Sequence, residues 1–185
     1  MRKQKIDFIL SENIHFGERY IFRFYPRRSA IYIDDSDKSV IFGDFYYSII
    51  YQYRDGENSN WESDVKFCNE CDEDSIIHDI GTVCINISNG IYEGSYINSL
   101  GHKKSYSYFD REYHSFGECT SWIIHRGDDL GKIYYEFLLW RYDNVGYRFS
   151  LEENQMKDFG QYLIDCIEYM KVHNKEGMDK LPWCL

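Results

Sequence analysis

Four side chains that can bind a metal lie close together in the middle of the chain. Two cysteines are separated by two residues, and a histidine and a third cysteine follow, giving the set Cys68, Cys71, His78 and Cys84. Paired thiolates across such a gap can hold Zn²⁺ tetrahedrally with two later ligands. The surrounding segment is loaded with carboxylates, whereas a zinc knuckle is set among basic and aromatic residues. The sequence therefore favours free thiols over zinc, and we expect no metal and no cofactor.

A basic patch near the N-terminus is the second group that could do chemistry. The run from Arg19 to Tyr25 alternates with period two, so arginines and one tyrosine share a face of a predicted strand. Guanidinium groups beside ring faces suit phosphate contacts and base stacking. The alternative is a solvent-facing strand whose arginines pair with carboxylates. The candidate site for a nucleotide or single-stranded nucleic acid comprises Arg19, Arg23, Tyr25, Arg27 and Arg28.

Carboxylates dominate the segment that follows. The net charge is −10, and residues 55–93 hold ten carboxylates against one lysine. This balance disfavours a nonspecific nucleic-acid binder. Opposed potentials steer a basic protein toward such a surface, where aromatic side chains can act as anchors. A solvated loop is the alternative. The candidate partner-binding residues are Asp55, Glu57, Trp61, Glu62, Asp64, Phe67, Asp72, Glu73 and Asp74.

The elements that would position these residues are mostly strands. The 18 Tyr, 12 Phe and 4 Trp favour pleated, half-buried surfaces. Apolar residues alternate from Ile133 to Phe149 and then recur at helical spacing from Met156 to Met170, with Ser150 and Glu153 as a capping box. The sequence predicts an α+β fold, a mostly antiparallel sheet of hairpins with one C-terminal amphipathic helix packed on it. A β-sandwich or barrel with an appended helix is the alternative.

A chain of 185 residues suits one domain, so residues 1–185 are predicted to form a single unit. The polar segment at about 54–80 has few periodic hydrophobes and is predicted to be a long acidic loop. A strand is expected to end at Pro26. Another is expected from Thr82 to Ile87, followed by a turn at residues 88–90.

Catalytic signatures are missing from the sequence, which favours a non-enzymatic protein. Cys119 and His125 would lie about 20 Å apart along a strand and could not act together. Since no apolar run is long enough for a secretory signal or a membrane span, we expect a cytoplasmic protein without membrane contact. Small acidic bacterial immunity proteins share this ring-rich, motif-free profile. The hypothesis is a toxin-neutralising or inhibitory protein whose partner is basic; its oligomeric state stays open.

Overall fold

The first half of the chain forms one antiparallel sheet and a helix. In the computed structural model, the described residues are 7–33, 39–56, 59–71, 74–97, 103–107, 113–116, 122–140 and 146–173. The first sheet has the strand order β1-β2-β3-β4. A short 3-10 helix, Ile14–Phe16, joins its first two strands. The elements are β1 Asp7–Asn13, β2 Glu18–Ile33, β3 Ser39–Tyr53, β4 Glu62–Cys71 and α1 Asp74–Ser88.

The second half repeats this plan after a small two-stranded sheet. Its four-stranded sheet has the order β10-β9-β8-β7 and is followed by a helix at the C-terminal end. The fold is therefore α+β with antiparallel sheets and a C-terminal helix, as predicted, and no sheet of the described residues closes into a barrel. The elements are β5 Glu93–Ile97, β6 Lys103–Ser107, β7 Tyr113–Phe116, β8 Trp122–Asp129, β9 Lys132–Trp140, β10 Gly146–Glu152 and α2 Glu153–His173.

Both helices carry a glycine at their eighth position, and the helices meet there. A Cβ atom on Gly81 would lie 2.8 Å from the carbonyl oxygen of Gly160, and one on Gly160 would lie 2.6 Å from that of Gly81. Gly81 also meets the residues three and four positions after Gly160, and Gly160 meets those three and four positions after Gly81. The two helices thus cross in a local twofold arrangement, and the residues around the crossing are Cys84, Ile85, Leu163 and Ile164.

Phe159 of α2 lies at the centre of the main hydrophobic core. Its ring is perpendicular to those of Phe22 in the first sheet and Phe137 in the second, with both centroids 5.5 Å away. Phe8 of β1 packs against it at 5.0 Å. One fully buried side chain therefore joins both sheets to the helix.

The prediction of a long acidic loop at about 54–80 is wrong. Residues 62–71 form strand β4, which pairs antiparallel with β3, and α1 begins at Asp74. The strand was hidden because Glu62–Lys66 is exposed on both faces, so its sequence has no apolar period.

The strand expected from Thr82 to Ile87 is also wrong, because these residues belong to α1. Ile77, Ile80, Val83 and Ile87 are fully buried at helical spacing, and this packing overrides the β preference of branched side chains. Residues 88–90 form the end of that helix rather than a hairpin turn. There Gly90 has a φ of 75°, and its N–H donates to the Ile87 carbonyl oxygen at 2.9 Å.

Pro26 does not end its strand, since β2 continues to Ile33 and Pro26 lies opposite Phe45 of β3. Neither of the described helices has the length and apolar character needed to cross a bilayer.

Candidate functional site

The first sheet divides the predicted site residues between two faces. Alternation along β2 directs Phe22 and Phe24 into the core and places Arg19 and Arg23 on the opposite face, as the sequence predicts. We call this opposite face the arginine face. At its middle, Ile21 is fully buried beside Ile50 of β3.

An aromatic and guanidinium cluster occupies one end of the arginine face. The guanidinium carbons of Arg19 and Arg54 lie over the Trp61 ring, 4.1 and 4.6 Å from its centroid. Arg19 Nε donates to Gln52 Oε1 at 2.8 Å, and Gln52 Nε2 donates to Ser63 Oγ at 2.9 Å. Gln52 therefore links three strands and fixes the Arg19 side chain beside the ring.

Gln52 gives the first testable prediction because it is 6% exposed and bonded on both sides. The Gln52→Ala variant is expected to lose about 1–3 kcal/mol of unfolding free energy, since two side-chain hydrogen bonds of a buried amide are removed and each contributes about 0.5–1.5 kcal/mol. Urea denaturation measures the loss. Gln161→Ala is the control, because Gln161 makes an exposed bond to Asp165 on α2. Equal losses in the two variants would contradict this role of Gln52.

Arg23 is held by a carboxylate on the neighbouring strand. Its Nε and Nη2 atoms donate to the two carboxylate oxygens of Asp7 at 2.6 and 2.8 Å. This bidentate ion pair occupies the guanidinium N–H groups of Arg23 that a phosphate would otherwise contact. The structure describes the other residues of this predicted site, Tyr25, Arg27 and Arg28, by their backbone in β2 alone.

A ladder of tyrosines lies on the core side of the same sheet, at the end where Glu18 pairs with Tyr53. The rings of Tyr20 and Tyr51 are 5.0 Å apart, and those of Tyr51 and Tyr53 stack at 5.8 Å. Tyr51 Oη donates to Glu18 Oε1 at 2.7 Å, and Tyr53 Oη donates to Glu62. We call this group, together with Asp64, the tyrosine surface.

The tyrosine surface already holds one cation. Lys66 Nζ donates to Asp64 and lies 5.4 Å from the centroid of the Tyr51 ring. The register shift between Ile49 and Ile50 leaves Lys66 as an extra residue of β4, which places it on this face next to Phe67. The geometry shows that carboxylates and ring faces here can share an ammonium group.

The carboxylates also determine how the tyrosines titrate. The hydrogen bond to Glu18, followed by partial burial, raises the pKa of Tyr51 to about 12. The bond to Glu62 raises the pKa of Tyr53 in the same way. Both bonds require a protonated hydroxyl, so they stabilise the fold below the ordinary tyrosine pKa and are lost as the pH rises through the raised value.

This titration gives the second prediction. The difference in tyrosinate absorbance between the wild type and Tyr51→Phe should show a group that titrates near pH 12. The Glu18→Gln variant should move that group toward the ordinary value of about 10, because the charged acceptor is removed. A Tyr51 that titrates with the exposed tyrosines in the wild type would contradict the bond to Glu18.

The predicted acidic site is only partly assembled. Glu62 and Asp64 lie together on the tyrosine surface. Asp55 is exposed in the turn after β3, and Asp74 begins α1. Trp61 lies on the arginine face instead, with two of the described arginines over its ring.

The prediction that Phe67 anchors a partner is wrong. Its side chain is 3% exposed and packs in the core against Tyr47 and Tyr147. Glu57, Asp72 and Glu73 lie outside the described residues.

The zinc candidates lie in two elements, β4 and α1, and the side chain of Cys71 is outside the described part of the chain. Cys84 is fully buried in α1 beside Gly160, and burial raises the pKa of its thiol well above the ordinary range. Cys68 is exposed on β4 and forms no disulfide with a described residue, and His78 is half-buried in α1. A buried protonated thiol is a poor metal ligand. No group of three metal-ligating side chains assembles among the residues that the structure describes.

Sequence reasoning missed most of the residues that complete the two clusters. Tyr51 and Tyr53 alternate at the end of β3, and the cross-strand register sets Asp64 and Glu62 opposite them. Two tyrosines and two acids, each pair two residues apart, are a signal that could have been found. The full set of missed residues is Glu18, Tyr20, Tyr51, Gln52, Tyr53, Arg54, Ser63 and Lys66.

Comparisons with known proteins assign no family to this chain. No family model and no curated protein matches it. One solved structure with some similarity is WHY1 from Arabidopsis thaliana, which is 13% identical with a TM-score of 0.34, over 92% of this chain and 90% of that chain. Another is the plant transcriptional regulator PBF-2, which is 8% identical with a TM-score of 0.31, over 97% of this chain and all of that chain. Similarities this low do not inform the function of the chain.

Proposed function

We propose that this chain is a non-enzymatic binding protein that holds a basic protein partner on its tyrosine surface. The observation that carries the proposal is the ladder of Tyr20, Tyr51 and Tyr53, with carboxylates bonded to two of its hydroxyls. Tyrosine is enriched at binding hot spots because it offers a large rigid ring and a polar tip.

Charge supports a cationic partner. The tyrosine surface and its bound lysine bring together three carboxylates, Glu18, Glu62 and Asp64, and one ammonium, Lys66. The chain as a whole carries −10, so its long-range field also attracts a basic molecule. Lys66 over the Tyr51 ring illustrates the contact that an incoming lysine or arginine would make with a neighbouring ring.

The biological class we propose is an immunity or inhibitor protein that neutralises a basic toxin. Such a protein needs a preformed surface, and here hydrogen bonds to Glu18 and Glu62 already fix the rings of Tyr51 and Tyr53. Preorganised side chains lose little conformational entropy on binding, which favours a tight complex. Placement in the cytoplasm belongs to the same proposal.

Affinity capture from the organism's own cells tests the proposal. The wild-type chain should retain a basic protein at stoichiometric amounts, and rising salt should weaken the complex. The double charge reversal Glu18→Lys and Glu62→Lys should abolish retention. The control reverses two exposed acids of α2, Asp158→Lys and Glu168→Lys, and should bind as the wild type does. A retained partner that is acidic, or one that both double variants bind equally, would refute the proposal.

A second candidate function rests on the arginine face. Arg19 and Arg54 beside the half-buried Trp61 ring form a platform that could stack a base and contact a phosphate. A nucleotide or single-stranded nucleic acid would then be the ligand. Binding of a fluorescent oligonucleotide that falls steeply with salt and is lost in Arg19→Ala would support this candidate. Binding that is unchanged in Arg19→Ala would exclude the platform.

A further inference from the structure

The strand that carries Glu62 and Asp64 lies at the edge of its sheet. Among the described residues β4 pairs with β3 on one side, and the sheet order ends with it. All five residues from Glu62 to Lys66 are exposed, and Val65 is 57% exposed although it is apolar and β-branched. Such an edge offers backbone N–H and C=O groups to an added strand.

The charges at this edge select the kind of strand that can be added. Antiparallel pairing of two copies about Ser63 would set each Glu62 opposite an Asp64, and pairing about Asp64 would set the two Asp64 carboxylates opposite each other. Like charges directly opposite one another are unfavourable. A strand with lysine or arginine at alternate positions would instead place cations beside these carboxylates and next to the Tyr53 ring, which is 42% exposed.

We infer that an extended basic segment of the partner adds to β4 along residues 62–66 as a further strand of the first sheet. Its cationic side chains then lie on the tyrosine surface, and its backbone pairs with the edge. The inference rests on the proposed function and adds to it the conformation of the bound segment. Backbone pairing supplies affinity, and the alternate side chains supply specificity.

Hydrogen exchange of the full chain with a short synthetic peptide of alternating lysine and threonine tests the inference. The peptide should slow exchange of backbone amides within residues 62–66. A peptide of the same length that alternates lysine and glycine carries the same charge with low β propensity, and it should bind more weakly and protect less. The double variant Glu62→Lys and Asp64→Lys should bind the lysine–threonine peptide at least about tenfold more weakly.

Three results would overturn the inference. If both lysine peptides bind equally and leave residues 62–66 unprotected, binding is by charge alone; the proposed function then survives without strand addition. If neither peptide binds the wild type, the edge is not a docking site. If exchange within residues 62–66 slows as the concentration of the free protein rises, the occupant is a second copy of this chain.

Discussion

Phe159→Ala is expected to cost about 3–5 kcal/mol of unfolding free energy, the range for emptying a large aromatic site in a core. The reason is the position of the ring, which contacts Phe22 of the first sheet and Phe137 and Phe149 of the second within 6 Å of its centroid. The cavity left by alanine would lie between two sheets and a helix, where no single element can move in to fill it.

Urea denaturation of the wild type and the variant measures this cost. Phe16→Ala is the matched control, because Phe16 lies in the short 3-10 helix and is 73% exposed. The control should change stability by no more than about 0.5 kcal/mol. A Phe159→Ala variant that unfolds at the same urea concentration as the control would contradict the packing described for the core.

Gly81→Ala and Gly160→Ala are each expected to destabilise the protein by about 1–3 kcal/mol, despite the better helix propensity of alanine. In either variant the new methyl group meets the carbonyl oxygen of the facing glycine at less than 3 Å, so the two helices must separate. The helix backbones cannot rotate out of the way as a flexible side chain could.

The double variant distinguishes this contact from two independent defects. Once one methyl group has separated the helices, the second is accommodated at lower cost, so the double variant should lose clearly less than the sum of the single losses. Thermal or urea unfolding of all four proteins completes the cycle. Strictly additive losses, or stabilisation by either alanine, would show that the helices do not cross at these glycines.

Strands β9 and β10 and helix α2 could be predicted in detail because their periodicity is undisturbed. In β9, Tyr135, Phe137 and Leu139 are buried in alternation, as their spacing indicates. The predicted capping box of Ser150 and Glu153 placed the start of the helix too early, since α2 begins at Glu153. The Glu152 N–H donates to Gln155 Oε1 at 3.0 Å, so the reaching side chain is Gln155 rather than the predicted Glu153.

The first half was harder to predict because tertiary contacts override local preference there. The branched residues of α1 favour a strand in isolation, yet the helix forms because its apolar stripe is buried and Gly81 contacts α2. The candidate site depends on cross-strand register, which sets Tyr53 opposite Glu62 and Tyr51 opposite Asp64. The alternation of Tyr51 with Tyr53 and of Glu62 with Asp64 is visible in the sequence, but it does not show which strands pair or in which register. The acids were therefore predicted as part of a loop, and their tyrosine partners were missed.

Affinity of the captured partner for two single variants, Tyr53→Ala and Trp61→Ala, tests the central claim most directly. Tyr53 and Trp61 lie on opposite faces of the first sheet, and each is a ring in contact with charged groups. If the tyrosine surface is the binding site, Tyr53→Ala weakens the complex by about 2 kcal/mol or more, as truncation of a hot spot does, and Trp61→Ala leaves it unchanged. Loss of binding in Trp61→Ala with full binding in Tyr53→Ala would contradict the account and assign the site to the arginine face.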